Sequence, residues 1–192
     1  MHRTNHRSTT HTSKRTLAAA AGACALAVVA GVAAEPSSAV GGSATVWTHV
    51  PSTCTPDEAS TGRYDVHVSS FKHATGATGQ IVTRCNVVDL PEFGVGEFPV
   101  LEVVYKDSDG IATGQQVLVD LIEARPDGST SIMARFNSNA FPGSAATQRH
   151  FIAFTRSFNF HQNAYYVDVR VTRTSTATAP SASTVRLTKV VG

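Results

Sequence analysis

The chain has 192 residues and a formal charge of +2, which is enough length for one domain of ordinary size behind an export segment. Residues 1–34 hold four of the sixteen Lys and Arg residues and none of the fourteen acids, so the remaining chain has a formal charge of −2. Nucleic-acid binding depends on a basic face that releases counterions, and this composition therefore argues against a nucleic-acid partner.

The first 34 residues have the pattern of a secretory signal peptide. A basic start is followed by an Ala-rich apolar run from Leu17 and by small residues at Val32-Ala33-Ala34 or Ser37-Ser38-Ala39. The run lacks the roughly twenty strongly apolar residues of a membrane span, and no charged stop follows it. We predict cleavage between residues 34 and 39, a secreted protein and no transmembrane segment after signal removal.

Two details of export stay open. Ser13-Lys14-Arg15-Thr16-Leu17 is similar to a twin-arginine signal with Lys in place of the first Arg, so the general secretory route and the twin-arginine route both remain. Cys24 follows Ala-Gly-Ala as a lipidated cysteine would, but the apolar run continues past it. We expect Cys24 to leave with the signal.

Once the signal peptide is removed, Cys54 and Cys85 are the two cysteines that remain. Two cysteines in an exported chain predict a disulfide between them. Two buried free thiols are the alternative. A bridge closing a loop of this length contributes about 3–4 kcal/mol in the chain-entropy model. We expect it to pin two strands of a sandwich.

The rest of the chain reads as a flexible tail followed by short strands. Residues 35–43 are small and flexible, and Ala44–Val50 predicts an edge strand closed by Pro51. Alternation over 63–68 predicts a strand with Tyr64, Val66 and Val68 on its core side. Loops are predicted at 90–99 and 137–147, and further strands at 80–88, 99–105, 116–124, 129–137, 149–158, 164–173 and 183–190.

These eight or nine strands, with no amphipathic helix of useful length, predict an all-β fold. We expect a single-domain antiparallel β-sandwich over residues 44–192, either a jelly roll or immunoglobulin-like, and the strand count favours the jelly roll.

Trp47-Thr-His-Val-Pro51, Cys54, Cys85-Asn-Val-Val88 and Tyr165-Tyr-Val-Asp-Val-Arg-Val-Thr-Arg173 form a layout that covers most of the mature chain. It resembles a group of uncharacterised exported bacterial β-sandwich proteins. The resemblance implies a sandwich with one paired-cysteine disulfide and no known function, so it transfers no site residue.

Metal and catalytic motifs are few. Asp107-x-Asp109-Gly110 has the carboxylate spacing of a calcium loop, but Leu118 stands where such a loop has its final Glu, and a plain turn uses the same residues. No histidine pair has zinc or copper spacing, and we predict no cofactor. No Gly-x-Ser-x-Gly elbow is present. A small secreted hydrolase would need two acids across a cleft, for which the strands offer Glu102, Asp120, Glu123 and Asp168.

Aromatic residues give the clearest binding prediction. Seven rings lie between Phe141 and Tyr166, and strand alternation assigns most of them to the core. Phe160, His161 and Tyr166 remain as exposed candidates for stacking on and hydrogen bonding to a sugar. We therefore predict a non-catalytic extracellular binding or structural module. A carbohydrate-binding module that uses residues 158–166 and a small hydrolase are the alternatives, and the partner would be a carbohydrate or another cell-surface component.

Overall fold

The structure is a computed structural model and describes residues 44–89 and 99–189. Eleven strands run through these residues: β1 Ala44–His49, β2 Thr55–Pro56, β3 Tyr64–His67, β4 Ser70–His73, β5 Gly79–Val87, β6 Pro99–Asp107, β7 Gln115–Ala124, β8 Thr130–Asn137, β9 Ser144–Ala153, β10 Ala164–Arg173 and β11 Ser181–Lys189. Three short 3-10 helices join them: Pro51–Thr53, Glu58–Ser60 and Ser138–Ala140. The predicted signal peptide, the tail at 35–43 and most of the loop at 90–99 lie outside the described residues.

The strands form two antiparallel sheets, as predicted. Sheet one has the order β3-β4-β11-β6-β9, and sheet two has the order β2-β5-β10-β7-β8. Strand β11 has three partners, because β6 pairs along one side while β4 and β1 share the other side. No helix among the described residues is long and apolar enough to cross a membrane.

The core lies between the sheets and follows the alternation of the longer strands. Residues 164–173 form β10 as predicted, with Tyr165, Val167, Val169 and Val171 buried. Leu101, Val103 and Tyr105 of β6 are fully buried from the opposite sheet. Every second side chain of these strands is therefore buried between the sheets. Burial of this apolar surface stabilises the packing of one sheet on the other.

The predicted Cys54–Cys85 disulfide is present, with the Cα atoms 4.8 Å apart. Cys85 points from β5 into the core, whereas Cys54 follows the 3-10 helix Pro51–Thr53 and directly precedes β2. The bridge therefore joins the connection between the sheets to the inner face of sheet two. The expectation that the bridge pins two strands directly was wrong, because Cys54 lies in the connection between β1 and β2.

The prediction for residues 63–68 is confirmed for Tyr64, which packs partly buried against the core, and was wrong for Val66 and Val68. Val66 and Val68 are 66% and 94% exposed, and the core side chains of this region are Phe71 and His73 of β4. The chain turns at Val68–Ser69, so that β3 and β4 form a hairpin at the edge of sheet one. Alternation along β3 reflects an edge strand rather than a half-buried one.

Strand β9 is also displaced from its prediction, since it spans Ser144–Ala153 rather than 149–158. Its first residues lie in what was predicted as a loop, because small polar residues there pair with β6 while remaining exposed. The 3-10 helix at Ser138–Ala140 takes up the rest of that stretch, with the Asn137 side chain accepting from the Asn139 amide.

Candidate functional site

The outer face of sheet two carries charged side chains at one level of four neighbouring strands. Arg84 of β5 is the Cα partner of Asp168 of β10, which is the partner of Asp120 of β7, which in turn is the partner of Arg135 of β8. Directly paired residues of antiparallel strands point to the same face. These four residues therefore form one line across the sheet, which we call the charged row.

Asp120 is the fixed centre of the charged row. Its side chain is only 1% exposed, and its two oxygens accept from Arg135 Nε at 2.6 Å and Arg135 Nη2 at 2.9 Å. Arg170 lies two residues after Asp168 on the same side of β10, and its guanidinium also donates to the Asp120 carboxylate. Two guanidinium groups thus offset the cost of removing the Asp120 charge from water.

Arg84 is held at the other end of the row by two contacts. Its Nε and Nη2 donate to the carboxylate of Asp168 at 2.8 and 3.1 Å, and its guanidinium carbon lies 4.3 Å from the centre of the Tyr166 ring. The hydrogen bond with Asp168 raises the pKa of Arg84. A guanidinium above an aromatic face is a favourable cation–π arrangement, and we call the pair of Arg84 and Tyr166 the platform.

A hollow of about 320 Å³ opens beside this platform. Its floor is the outer face of β5 and its wall is the short edge strand β2. The lining residues are Thr55, Pro56, Asp57, Val82, Arg84, Asn86 and Asp168. The hollow therefore offers both donors and acceptors around a short apolar segment.

Arg170, at the middle of the outer face of sheet two, has one N–H group without a hydrogen-bond partner among the described residues. It lies between its Cα partners Val82 and Leu118, and its Nε is buried without a hydrogen-bond partner among the described residues. Burial lowers the pKa of Arg170. An unmet buried donor costs free energy, so Arg170 depends on its remaining contact with Asp120.

The predicted aromatic residues do not form one surface. Phe160 is half-buried, with its ring stacked on Phe158 at 5.3 Å and edge-on to the buried Tyr165 at 4.9 Å. Tyr166 points the other way from β10, onto the outer face of sheet two, and His161 is exposed in the connection before β10. Tyr166 therefore meets Arg84 rather than Phe160.

The four acids considered for hydrolysis all contact arginine. Glu102 on the outer face of sheet one accepts a hydrogen bond from Arg186 at 2.8 Å and forms an ion pair with Arg149 at 3.1 Å. Glu123 accepts from Ser131, Arg125, Arg156 and Asn163, and the Ser131 hydrogen bond is the largest of the influences that lower the pKa of Glu123. Asp120 and Asp168 are direct neighbours in the charged row. Their oxygens are already engaged by guanidinium groups, which does not suit a carboxyl that must donate a proton to a leaving group.

The predicted calcium candidates are Asp107, the last residue of β6, and Asp109, which lies in the turn that follows. Asp107 is buried and accepts from the amides of Asp109 and Gly110 at 3.2 and 3.1 Å, and from the hydroxyl of Ser138. Burial, followed by the neighbouring Asp107, raises the pKa of Asp109. Within residues 44–89 and 99–189, no group of three or more His, Cys, Asp or Glu side chains could hold a metal ion.

The fold and the site define a disulfide-bridged antiparallel β-sandwich with a polar, partly hollowed outer face. No protein-family model matches the chain, and no curated protein matches it either.

Among solved structures, the chain is similar to the xylan-binding module CBM15, with a TM-score of 0.46 and 13% identity over 76% of this chain and 97% of that one. It is also similar to the cyclase Fisc from Fischerella sp. TAU, with a TM-score of 0.44 and 13% identity over 81% and 92% of the two chains. A third similar structure is the CBM36-1 domain of a xylanase from the hindgut metagenome of Trinervitermes trinervoides, with a TM-score of 0.37 and 10% identity over 76% and 96%.

Proposed function

We propose that this chain is an exported, non-catalytic binding module that holds an oligosaccharide across the outer face of sheet two. The observation that carries the proposal is the charged row with the hollow that opens beside Arg84 and Asp168. Export is part of the proposal, and the signal-like first 34 residues and the disulfide support it.

A sugar fits the chemistry of this face because each hydroxyl both donates and accepts hydrogen bonds. The hollow places the donors of Arg84 and Asn86 beside the acceptors of Asp57 and Asp168. Val82 gives the same surface an apolar segment against which the C–H face of a sugar ring can pack. A purely anionic ligand fits less well, because two carboxylates line the hollow.

The platform is also pre-organised for binding. Arg84 is fixed by two hydrogen bonds to Asp168 and by the ring of Tyr166, so that little side-chain freedom is lost when a ligand arrives. The same fixed contacts argue for binding rather than hydrolysis, since neither Asp120 nor Asp168 is free to shuttle a proton.

Affinity electrophoresis of the disulfide-bonded protein in gels that contain xylan, β-glucan, mannan or pectin tests the proposal. We expect retardation by at least one neutral polysaccharide, with a loss of about tenfold in affinity for Arg84→Ala and for Tyr166→Ala. Phe151→Ala is the matched control, because Phe151 is an aromatic residue 56% exposed on the outer face of sheet one.

The outcomes separate the possible sites. His161→Ala reports on the sequence-predicted cluster of Phe160 and His161, and it leaves the face of sheet two untouched. Retention of polysaccharide binding in Arg84→Ala and Tyr166→Ala, or its loss in Phe151→Ala or His161→Ala alone, would contradict the proposed face. Absence of retardation in all four gels would contradict an oligosaccharide ligand.

A further inference from the structure

Among the described residues, the buried acid Asp107 at the end of β6 differs from three other buried acids in having no arginine partner. Glu102, Asp120 and Glu123 are buried, and each contacts two arginine side chains at the outer faces or at the end of the sandwich. Asp107 is as deeply buried as Asp120, and it forms no ion pair with any residue in 44–89 or 99–189. Asp109 beside it is likewise without a cationic partner in that part of the chain.

The hydrogen bonds around Asp107 fix its position without neutralising it. Two backbone amides and the Ser138 hydroxyl donate to it, and Ser138 in turn accepts from the amide of Val117 at 2.8 Å. Amides and hydroxyls are dipoles rather than cations. Two carboxyl groups are thus held together under a surface turn with no counter-charge from the described chain, an arrangement that needs either a bound cation or a shared proton.

A second observation at the same turn points to a ligand. Gln115 is only 1% exposed, and its Nε2 donates to Ser108 Oγ at 2.8 Å, which fixes its carboxamide against the residue between the two aspartates. The other end of that carboxamide, Oε1, is buried without a hydrogen-bond partner among the described residues, and so is Oδ1 of Asp109. Buried oxygens without donors need a partner, and both are of the type that bind hard cations.

We propose that Asp107, Asp109 and Gln115 bind a calcium ion beneath the turn at residues 107–115. The donor atoms are all oxygens, which Ca²⁺ prefers, and the absence of sulfur and imidazole argues against zinc or copper. Ca²⁺ accepts six to eight ligands in irregular geometry, so water can complete its shell where the protein does not. Ser108 and Ile111–Thr113 are exposed above the turn, which gives the ion a route from solvent.

The choice of calcium over magnesium follows from the flexibility of the donors. Mg²⁺ requires a near-octahedral set at short distances, and two side chains of one turn with a carboxamide from the next strand do not enforce it. We therefore expect a dissociation constant for Ca²⁺ between about 10 µM and 1 mM, with a smaller response to Mg²⁺.

Thermal unfolding and calorimetric titration of the disulfide-bonded protein with Ca²⁺ alone test this site. In 10 mM Ca²⁺ we expect Tm to rise by about 5 °C relative to protein treated with a chelator. Asp109→Asn, which keeps the side-chain shape, should abolish that rise and weaken Ca²⁺ binding by at least tenfold. Asp127→Asn is the matched control, since Asp127 also accepts a backbone amide two residues on but lies in an exposed turn without a second carboxylate.

Three results would overturn the proposal. The first is a Tm that does not respond to Ca²⁺. The second is an unchanged Ca²⁺ response in Asp109→Asn. The third is stabilisation by mild acid with no effect of Ca²⁺, which would show that the two carboxyls share a proton instead of a metal. Because the turn is separate from the hollow on sheet two, polysaccharide binding can fail without affecting any of these readouts.

Discussion

Replacement of Asp120 by Asn should destabilise the protein by more than any other single acid-to-amide change on sheet two. The carboxylate is 1% exposed and accepts hydrogen bonds from both Arg135 and Arg170. An Asn side chain keeps the shape but offers one acceptor and places an N–H group toward guanidinium donors. The change therefore leaves Arg170, whose Nε is already without a partner, largely uncompensated.

The two arginines do not contribute equally to the expected loss. Arg135 is half exposed and can turn into solvent, so that its share is small, as for surface ion pairs. Arg170 is the more buried partner, and breaking such a pair costs up to 3–5 kcal/mol when the remaining charge cannot escape. Because Arg170 is still partly exposed, we expect Asp120→Asn to lower the free energy of unfolding by about 2–3 kcal/mol.

Urea unfolding at pH 7, followed by tyrosine and tryptophan fluorescence, measures this loss. Asp127→Asn serves as the control and should unfold at the wild-type urea concentration. A double-mutant cycle of Asp120→Asn with Arg135→Ala should give a coupling energy below about 1 kcal/mol. A loss smaller than 1 kcal/mol for Asp120→Asn would refute the view that this carboxylate is the fixed centre of the charged row.

Three further changes test the fold itself. Removing the disulfide in Cys54→Ala/Cys85→Ala should cost about 3–4 kcal/mol in chemical unfolding, as expected for a loop with a sequence separation of 31; equal stability with and without the bridge would contradict this. Gly110→Ala should cost about 3 kcal/mol or more, because a Cβ there would lie 2.1 Å from a backbone nitrogen of the facing loop; Gly128→Ala, with a similarly positive φ but open space, should cost only about 1 kcal/mol. Burial lowers the pKa of His73 below 6.5, so the unfolded chain takes up its proton first, and stability should fall as the pH drops below about 6.5. In His73→Gln, the urea concentration at the unfolding midpoint should not fall with pH between pH 7 and 5 as it does in the wild type. An unchanged fall in the variant would show that His73 is not the group responsible.

Sequence patterns identified the parts of the fold that depend on one strand at a time. Strands β6 and β10 show alternation over many residues, and the structure buries the apolar side of each. The same reasoning was wrong at Val66 and Val68, because four residues of alternation cannot separate an edge strand from a buried one. The turn that follows has neither Gly nor Pro to mark it.

The charged row could not be predicted in the same way. Its members come from strands up to 84 residues apart, and their alignment is a matter of register between strands. Period-2 alternation along 164–173 puts Tyr166, Asp168 and Arg170 on the same side of β10, which is the one signal that the sequence carries for this site. Phe160 and Tyr166 are close in sequence, but Phe160 packs against Tyr165 on the core side of sheet two and Tyr166 points to the outer face.

The three partners of β11 have a consequence for how the chain folds. Strands β1, β4 and β6 all hydrogen-bond to residues 181–189, and none of them is paired directly with another. Until residues 181–189 emerge during synthesis, each of these three strands has a backbone edge without its strand partner, and sheet one cannot close. Such dependence on late, distant pairing predicts slow, all-or-none maturation, and a nascent chain interrupted before residue 181 should be prone to aggregation and rapid degradation.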